Sequence, residues 1–144
     1  MTGRLARGAV GGALATAAMS LVMLASRRLG LVRKLAPEHI TEEALDAAGI
    51  ERDQDDEDIA TSLVHLAYGT ANGAVFALVG PHLPGPRALR GLLFAGALLL
   101  VSYEGWVPAA RILPPLRAQT PGGASTLVTS HIVYGVVLSL TTLR

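Results

Sequence analysis

Four apolar runs, each near the length of a membrane crossing, constrain this chain more than any other feature. Gly8 to Ser26, Ile59 to Val79 and Ala124 to Leu143 carry no formal charge. A fourth run, Gly91 to Tyr103, is too short alone; extended to Ala109 it reaches spanning length and takes in Glu104. A helix needs roughly 20 apolar residues to cross a hydrocarbon core. Helices satisfy their backbone groups within one segment, as lipid demands. The chain therefore reads as all-α: an integral membrane four-helix bundle in one membrane domain of 144 residues. Its spans fall at about 8–26, 59–79, 91–109 and 124–143, with an acidic extramembrane segment at 27–58.

Charge supports this class. Only 16% of residues are charged, against about 25% in soluble domains. Every one of the 11 acidic residues except Glu104 lies between Glu38 and Asp58. The basic residues are scattered in ones and twos, which argues against a nucleic-acid partner. With no cysteine, disulfides and thiolate metal sites are excluded. A basic start before an apolar stretch also describes a secretory leader. Arg27, Arg28, Arg33 and Lys34, straight after the first run, favour a retained anchor instead.

Within the first run, Gly8/Gly12, Gly11/Ala15 and Gly12/Thr16 supply the small-residue spacings that let helices approach closely in lipid. In the extramembrane segment Pro37 opens a short helix, Thr41 reads as a cap with acids behind it, and Gly49 ends it. Asp53 to Asp58 fails as a calcium loop. Its sixth and twelfth positions hold Asp58 and Val64 where glycine and glutamate are needed. It reads as an acidic, dipole-favoured helix start. Pro81, Pro84, Gly85 and Pro86 mark a tight turn; Pro114, Pro115 and Pro121-Gly122-Gly123 mark a loop. Trp106 and Pro108 suit an interfacial aromatic and a helix exit.

One pattern occurs twice: His65-Leu66-Ala67-Tyr68-Gly69 and His131-Ile132-Val133-Tyr134-Gly135. Spacings of three and four place His65, Tyr68, Gly69, Asn72 and Gly73 on one helical stripe, which should face other helices. Alternating topology puts both termini on one side. The facing side carries seven basic residues, Arg52 among them, against five, Arg144 among them, on the side of the termini. The excess leans toward placing the 27–58 segment in the cytoplasm. His65 and His131 then lie about 9 and 10.5 Å in from that face, and Glu104 about 7.5 Å, at 1.5 Å per residue.

This levelling defines a candidate intramembrane polar cluster of His65, His131, Glu104, Tyr68, Tyr134 and Asn72. Three readings stay open. The groups could fasten helices by hydrogen bonds worth about 0.6 kcal/mol each. Two histidines and a carboxylate could ligate a divalent metal, or two histidines a haem. They could also line a path for protons or a solute. No cofactor is the leading expectation. The repeat fits either duplication of a helical hairpin or convergence on one packing solution.

Gly12-Ala13-Leu14-Ala15-Thr16-Ala17-Ala18-Met19-Ser20, the two histidine-tyrosine-glycine copies and Ile112-Leu113-Pro114-Pro115 resemble the YagU-like group of small bacterial inner-membrane proteins. The resemblance implies several membrane helices and a bacterial inner membrane; it carries no established activity and no catalytic residues. The expected function is a structural or accessory subunit of a membrane assembly, partnered by lipid and by copies of itself or other membrane subunits. A small carrier or ion pathway through Glu104, His65 and His131, or a metal- or haem-binding bundle, are the alternatives. No nucleophile, base and orienting group occur in a recognisable arrangement, so an enzyme is not expected.

Overall fold

The computed structural model describes residues 1–51 and 53–143. Arg52 and Arg144, both counted in the charge balance above, lie outside the described residues. Five principal helices make up the chain: α1 (Thr2–Arg28), α2 (Ala36–Ala47), α3 (Gln54–Val79), α4 (Arg87–Leu100) and α5 (Pro121–Thr142). From α4 the chain runs on through a π-helical segment, Val101–Trp106, and a closing turn, Val107–Ala109. By length and composition, α1, α3, α4 with its continuation, and α5 can each cross a membrane. The fold is an all-α bundle of four such helices.

Their ends follow from local chemistry. Asp53 caps α3, its carboxylate accepting from the Asp56 backbone N–H at 2.9 Å, and Asp55, Asp56 and Glu57 fill the first turn. The acidic run is thus a helix start, favoured by the macrodipole, and the helix begins before the apolar run does. Thr120 caps α5 by accepting from the Gly123 N–H at 3.1 Å, with Pro121 in the first turn. Pro121-Gly122-Gly123, expected as a loop, is therefore helical. The missing proline donor costs nothing where the N–H would be unpaired anyway. Thr41, expected as the α2 cap, lies inside that helix and is buried. The start is instead closed by Glu38, whose carboxylate accepts from the Leu35 N–H at 2.7 Å. Gly49 ends the segment at φ +68°, a conformation glycine adopts freely.

Close backbone contact builds two hairpins. In the first, α1 lies on α3: a Cβ on Gly12 would overlap the Gly69 carbonyl, and one on Gly73 would overlap the Gly8 carbonyl. In the second, α4 lies on α5: a Cβ on Gly91 would overlap the Gly135 carbonyl. Gly69 and Gly135 are the glycines that close the two repeated motifs, so both copies serve the same crossing. Thr141 and Thr142 pack against Gly11, which sets α1 beside α5 and joins the hairpins. Arg4 donates from Nε to the Ala77 carbonyl at 2.6 Å, tying the start of α1 to the end of α3.

The lateral order is therefore α3, α1, α5, α4, and the row does not close. The backbones of α3 and α4 stay apart, and side chains bridge them. Phe76 and Phe94 meet with ring centroids 5.2 Å apart. Two turns further along, the Tyr68 hydroxyl reaches the Ser102 hydroxyl at 3.5 Å. Beyond that level the seam widens, and α2 lies across its end: Ala36 and Ile40 pack on a small core of Leu99, Tyr103, Val107 and Leu127.

The glycine crossings should dominate stability. Gly12→Leu should lower the free energy of unfolding in detergent by about 2 kcal/mol or more, since its side chain has no room against backbone. Gly96→Leu, at a glycine with nothing within 4 Å of the added carbon, should change it little. Steric-trap or denaturant unfolding of the two variants checks this; equal effects would refute it.

Candidate functional site

The widened seam is a cavity of about 180 Å³. Met19 and Met23 of α1 form its floor. Val64, His65 and Tyr68 come from α3; Ser102, Tyr103 and Trp106 from the end of α4; and His131 and Tyr134 from α5. Pro37, Ile40 and Thr41 of α2 close it from above. Both repeated motifs thus send their histidine and tyrosine to one cavity. Tyr134, Ser102, Tyr103 and His131 are buried, whereas Val64, Tyr68 and Trp106 stay partly exposed at its mouth.

The two copies are used differently. Tyr134 crosses the bundle and donates to the Gly69 carbonyl at 2.8 Å, a fastening between the second motif and the first. Tyr68 makes no return bond to Gly135; its hydroxyl goes to Ser102 across the seam, at a long 3.5 Å. Histidine 131 turns Nδ1 to the Leu127 carbonyl one turn back, at 2.8 Å. A carbonyl only accepts, so Nδ1 carries a proton; in the neutral form of the ring Nε2 then keeps its lone pair. The His131 ring also stands edge-on to Tyr103, at 88° and 6.0 Å. His65 Nδ1 lies 3.4 Å from the Ser20 hydroxyl. Asn72 donates to the Tyr68 carbonyl at 2.9 Å, within its own helix, and does not line the cavity.

Glu104 is not brought to the histidines. Its carboxylate pairs with the Arg117 guanidinium and accepts from the Arg117 N–H at 3.1 Å, in the turn that follows α4. The π-helical segment is the reason. Pro108 has no N–H to give the carbonyl four residues back, that of Glu104, and its ring crowds that position. The helix relaxes by taking one residue more in the turn, with Gly105 at φ −111°, ψ −108°. A π turn of this kind re-aims side chains and is frequent at functional sites. Ser102 and Tyr103 face inward and Glu104 faces the loop. Among the described residues, no three His, Asp or Glu side chains gather closely enough to hold a metal ion.

Thr41 belongs to the site without having been expected there. Its hydroxyl is buried and has no hydrogen-bond partner, and the residue lines the cavity. The only sequence signal was a threonine on the inner side of an amphipathic helix. The tether of α2 is ionic: Arg27 pairs with Glu38 at 2.5 Å, and Lys34 with Glu42 and, at 3.6 Å, with Glu57.

Fold and cavity together define a multi-pass membrane protein built from two like-packed helical hairpins around a shared, mostly apolar cavity. Residues 2–144 match a family of unknown function (DUF6789), and the chain belongs to that family. No curated protein and no solved structure matches it.

Two predictions follow from the geometry. Tyr134→Phe should cost about 1 kcal/mol, because it removes a buried hydrogen bond between two helices, while Tyr68→Phe should cost less than half as much; thermal unfolding in one detergent compares them. The second concerns pH. The Lys34 bond holds the Glu42 carboxyl below its ordinary 4.5. Burial works against the Lys34 charge, but Glu42 and Glu57 outweigh it and hold the ammonium above its ordinary 10.5. Glu42 therefore stabilises the tether above pH 4.5, and this is lost as pH falls through its depressed value. Lys34 stabilises it below pH 10.5, and this is lost as pH rises further. Amide exchange in α2 should accelerate outside that window relative to α1; a flat profile would refute the tether.

Proposed function

We propose that the protein is a non-enzymatic accessory subunit of a plasma-membrane assembly, and that it contributes a binding cleft for a molecule dissolved in the bilayer. The observation that carries this reading is the open α3–α4 seam. Three of the four neighbouring helix pairs of a closed bundle are packed through small residues, and the fourth is left apart around a cavity whose mouth carries half-exposed Val64, Tyr68 and Trp106. For spanning helices that mouth faces lipid. An apolar cleft with a few converging polar groups is the usual form of a small-molecule site.

Both termini lie on one side in this reading, with α2 and the Arg117 turn on the other, cytoplasmic side. The likeness to YagU-like proteins supports a bacterial inner membrane. Assembly with copies of itself or with other membrane subunits fits the small extramembrane mass. A haem does not fit the site: a cavity of about 180 Å³ has room for roughly one six-membered ring, and a porphyrin carries four pyrrole rings. A proton pathway is the second reading, and one observation favours it. His65, with Met23 and Pro37, also lines a crevice between α1 and α3 that holds Arg27, Glu38 and Asp58, so among the described residues its ring is the one titratable group shared by that charged crevice and the inner cavity.

Native mass spectrometry of protein released from its own membranes tests the binding reading. A bound apolar molecule is expected on the wild type, absent from Ser102→Leu, which fills the cleft while circular dichroism stays helical. Wild-type protein carrying nothing, or Ser102→Leu carrying the same mass, would refute it. For the pathway reading, proteoliposome proton flux should fall in His65→Phe; unchanged flux would remove it.

A further inference from the structure

Resting on the cleft reading, we propose that the α3–α4 cavity takes an uncharged single-ring molecule bearing a hydroxyl, of the phenol or hydroquinone type. Its ring and hydroxyl lie inside and any apolar tail leaves between α3 and α4 into the bilayer. Size sets the first limit. A dry protein cavity of roughly 150 Å³ holds one benzene ring, and this one measures about 180 Å³. The absence of charge sets the second. Among the described residues no Asp, Glu, Lys or Arg lines the cavity, so a charged head would be desolvated without a partner.

Hydrogen-bonding capacity sets the third. His131 spends its Nδ1 proton on the Leu127 carbonyl, so Nε2 can only accept, and the ligand must bring an O–H or N–H to it. Thr41 lines the cavity, and its hydroxyl, enclosed by protein and without a partner, can donate once the side chain turns toward the space. Beside the polar groups of His65, Tyr68, Ser102, Tyr103 and Trp106 that also line the cavity, His131 offers an acceptor and Thr41 a donor. A hydroxyl is both in a single group, whereas a ketone or a quinone oxygen only accepts and leaves Nε2 unmet. Tyr134 is already committed to the Gly69 carbonyl and does not compete. The mouth sets the fourth limit: Val64 at 51% exposure and Trp106 at 40% flank a way out toward lipid, which a soluble ligand would not need.

Trp106 is the chain's one tryptophan and lines the cavity, so its emission reports occupancy. The full chain in lipid vesicles is titrated with 4-bromophenol, whose bromine quenches indole on contact, and with bromobenzene as the ring without the hydroxyl. Saturable quenching by 4-bromophenol is expected, with half-saturation about tenfold lower than for bromobenzene, the ratio one buried hydrogen bond gives. A phenol with a seven-carbon tail should restore the emission, and the matching alkylbenzene should need about ten times more. His131→Phe and Thr41→Val should each erase most of the difference between the two quenchers; Thr41→Val, close to isosteric, guards against a folding artefact in the other. Saturable quenching without preference for the hydroxyl, or a preference that survives both variants, would overturn the ligand class while leaving the cleft standing. Linear quenching by both compounds, as simple partition gives, would overturn the cleft as well.

Discussion

The contact on which the rest depends is the backbone crossing at the glycine that ends each repeated motif. Lipid tails are as apolar as leucine, so no hydrophobic force drives membrane helices together. Close packing and hydrogen bonds must do it. Gly12 on Gly69 and Gly91 on Gly135 provide the packing. Once those glycines are at the crossings, helical geometry leaves little choice for their neighbours. The tyrosine one residue back and the histidine four residues back in each motif lie on or beside the same inward stripe. The site is in this sense a by-product of how the hairpins are held.

What the crossings do not determine is how the hairpins meet. Threonines 141 and 142 against Gly11 close one side; no such small-residue contact closes the other, where Phe76 and Phe94 hold α3 and α4 apart by the width of two rings. The departure from two-fold likeness shows in the tyrosines. Tyr134 is wholly inside and bonded to backbone, while Tyr68 is 42% exposed and reaches only Ser102. Two near-identical motifs thus end as one fastening and one gatepost, and the difference comes from the helix opposite each.

Much of this was legible in the sequence. The four spans, the acidic start of α3, the glycine that ends the α2 segment and the facing of the two motifs follow from run length, capping chemistry and helical period. Glu104 shows where such reasoning stops. Counting residues along an ideal helix assumes a uniform turn, and Pro108 makes the turn at Glu104 non-uniform. The signal was present, a proline four residues on with a glycine between, and its effect on direction needed the three-dimensional path. Thr41 was misplaced for a related reason. The local pattern of threonine followed by acids is that of a cap, but Glu38 already serves the N–H of Leu35, and packing on the α4 end fixed the helix start nearly two turns earlier. The seam itself has no sequence signature, because it is a contact that is not made.

The unmade contact has an energetic reading. A buried donor or acceptor without a partner costs about 1–3 kcal/mol, and the threonine-to-valine exchange at position 41 would remove that cost at almost no change in volume. Thr61 and Thr142 also carry buried hydroxyls without partners, so an incomplete hydroxyl alone does not mark a site; Thr41 differs in lining the cavity together with His131. Structural fastening explains Tyr134, whose bond is complete, and explains Glu104, whose charge is matched by Arg117. It does not explain groups left incomplete around a space large enough for a ring. Thr41 from α2 and His131 from α5 line the same cavity, which is the ground for proposing a ligand there. The fastening and the site are therefore different parts of one motif pair: the glycines and Tyr134 hold the bundle, and the remainder faces the gap that holding leaves.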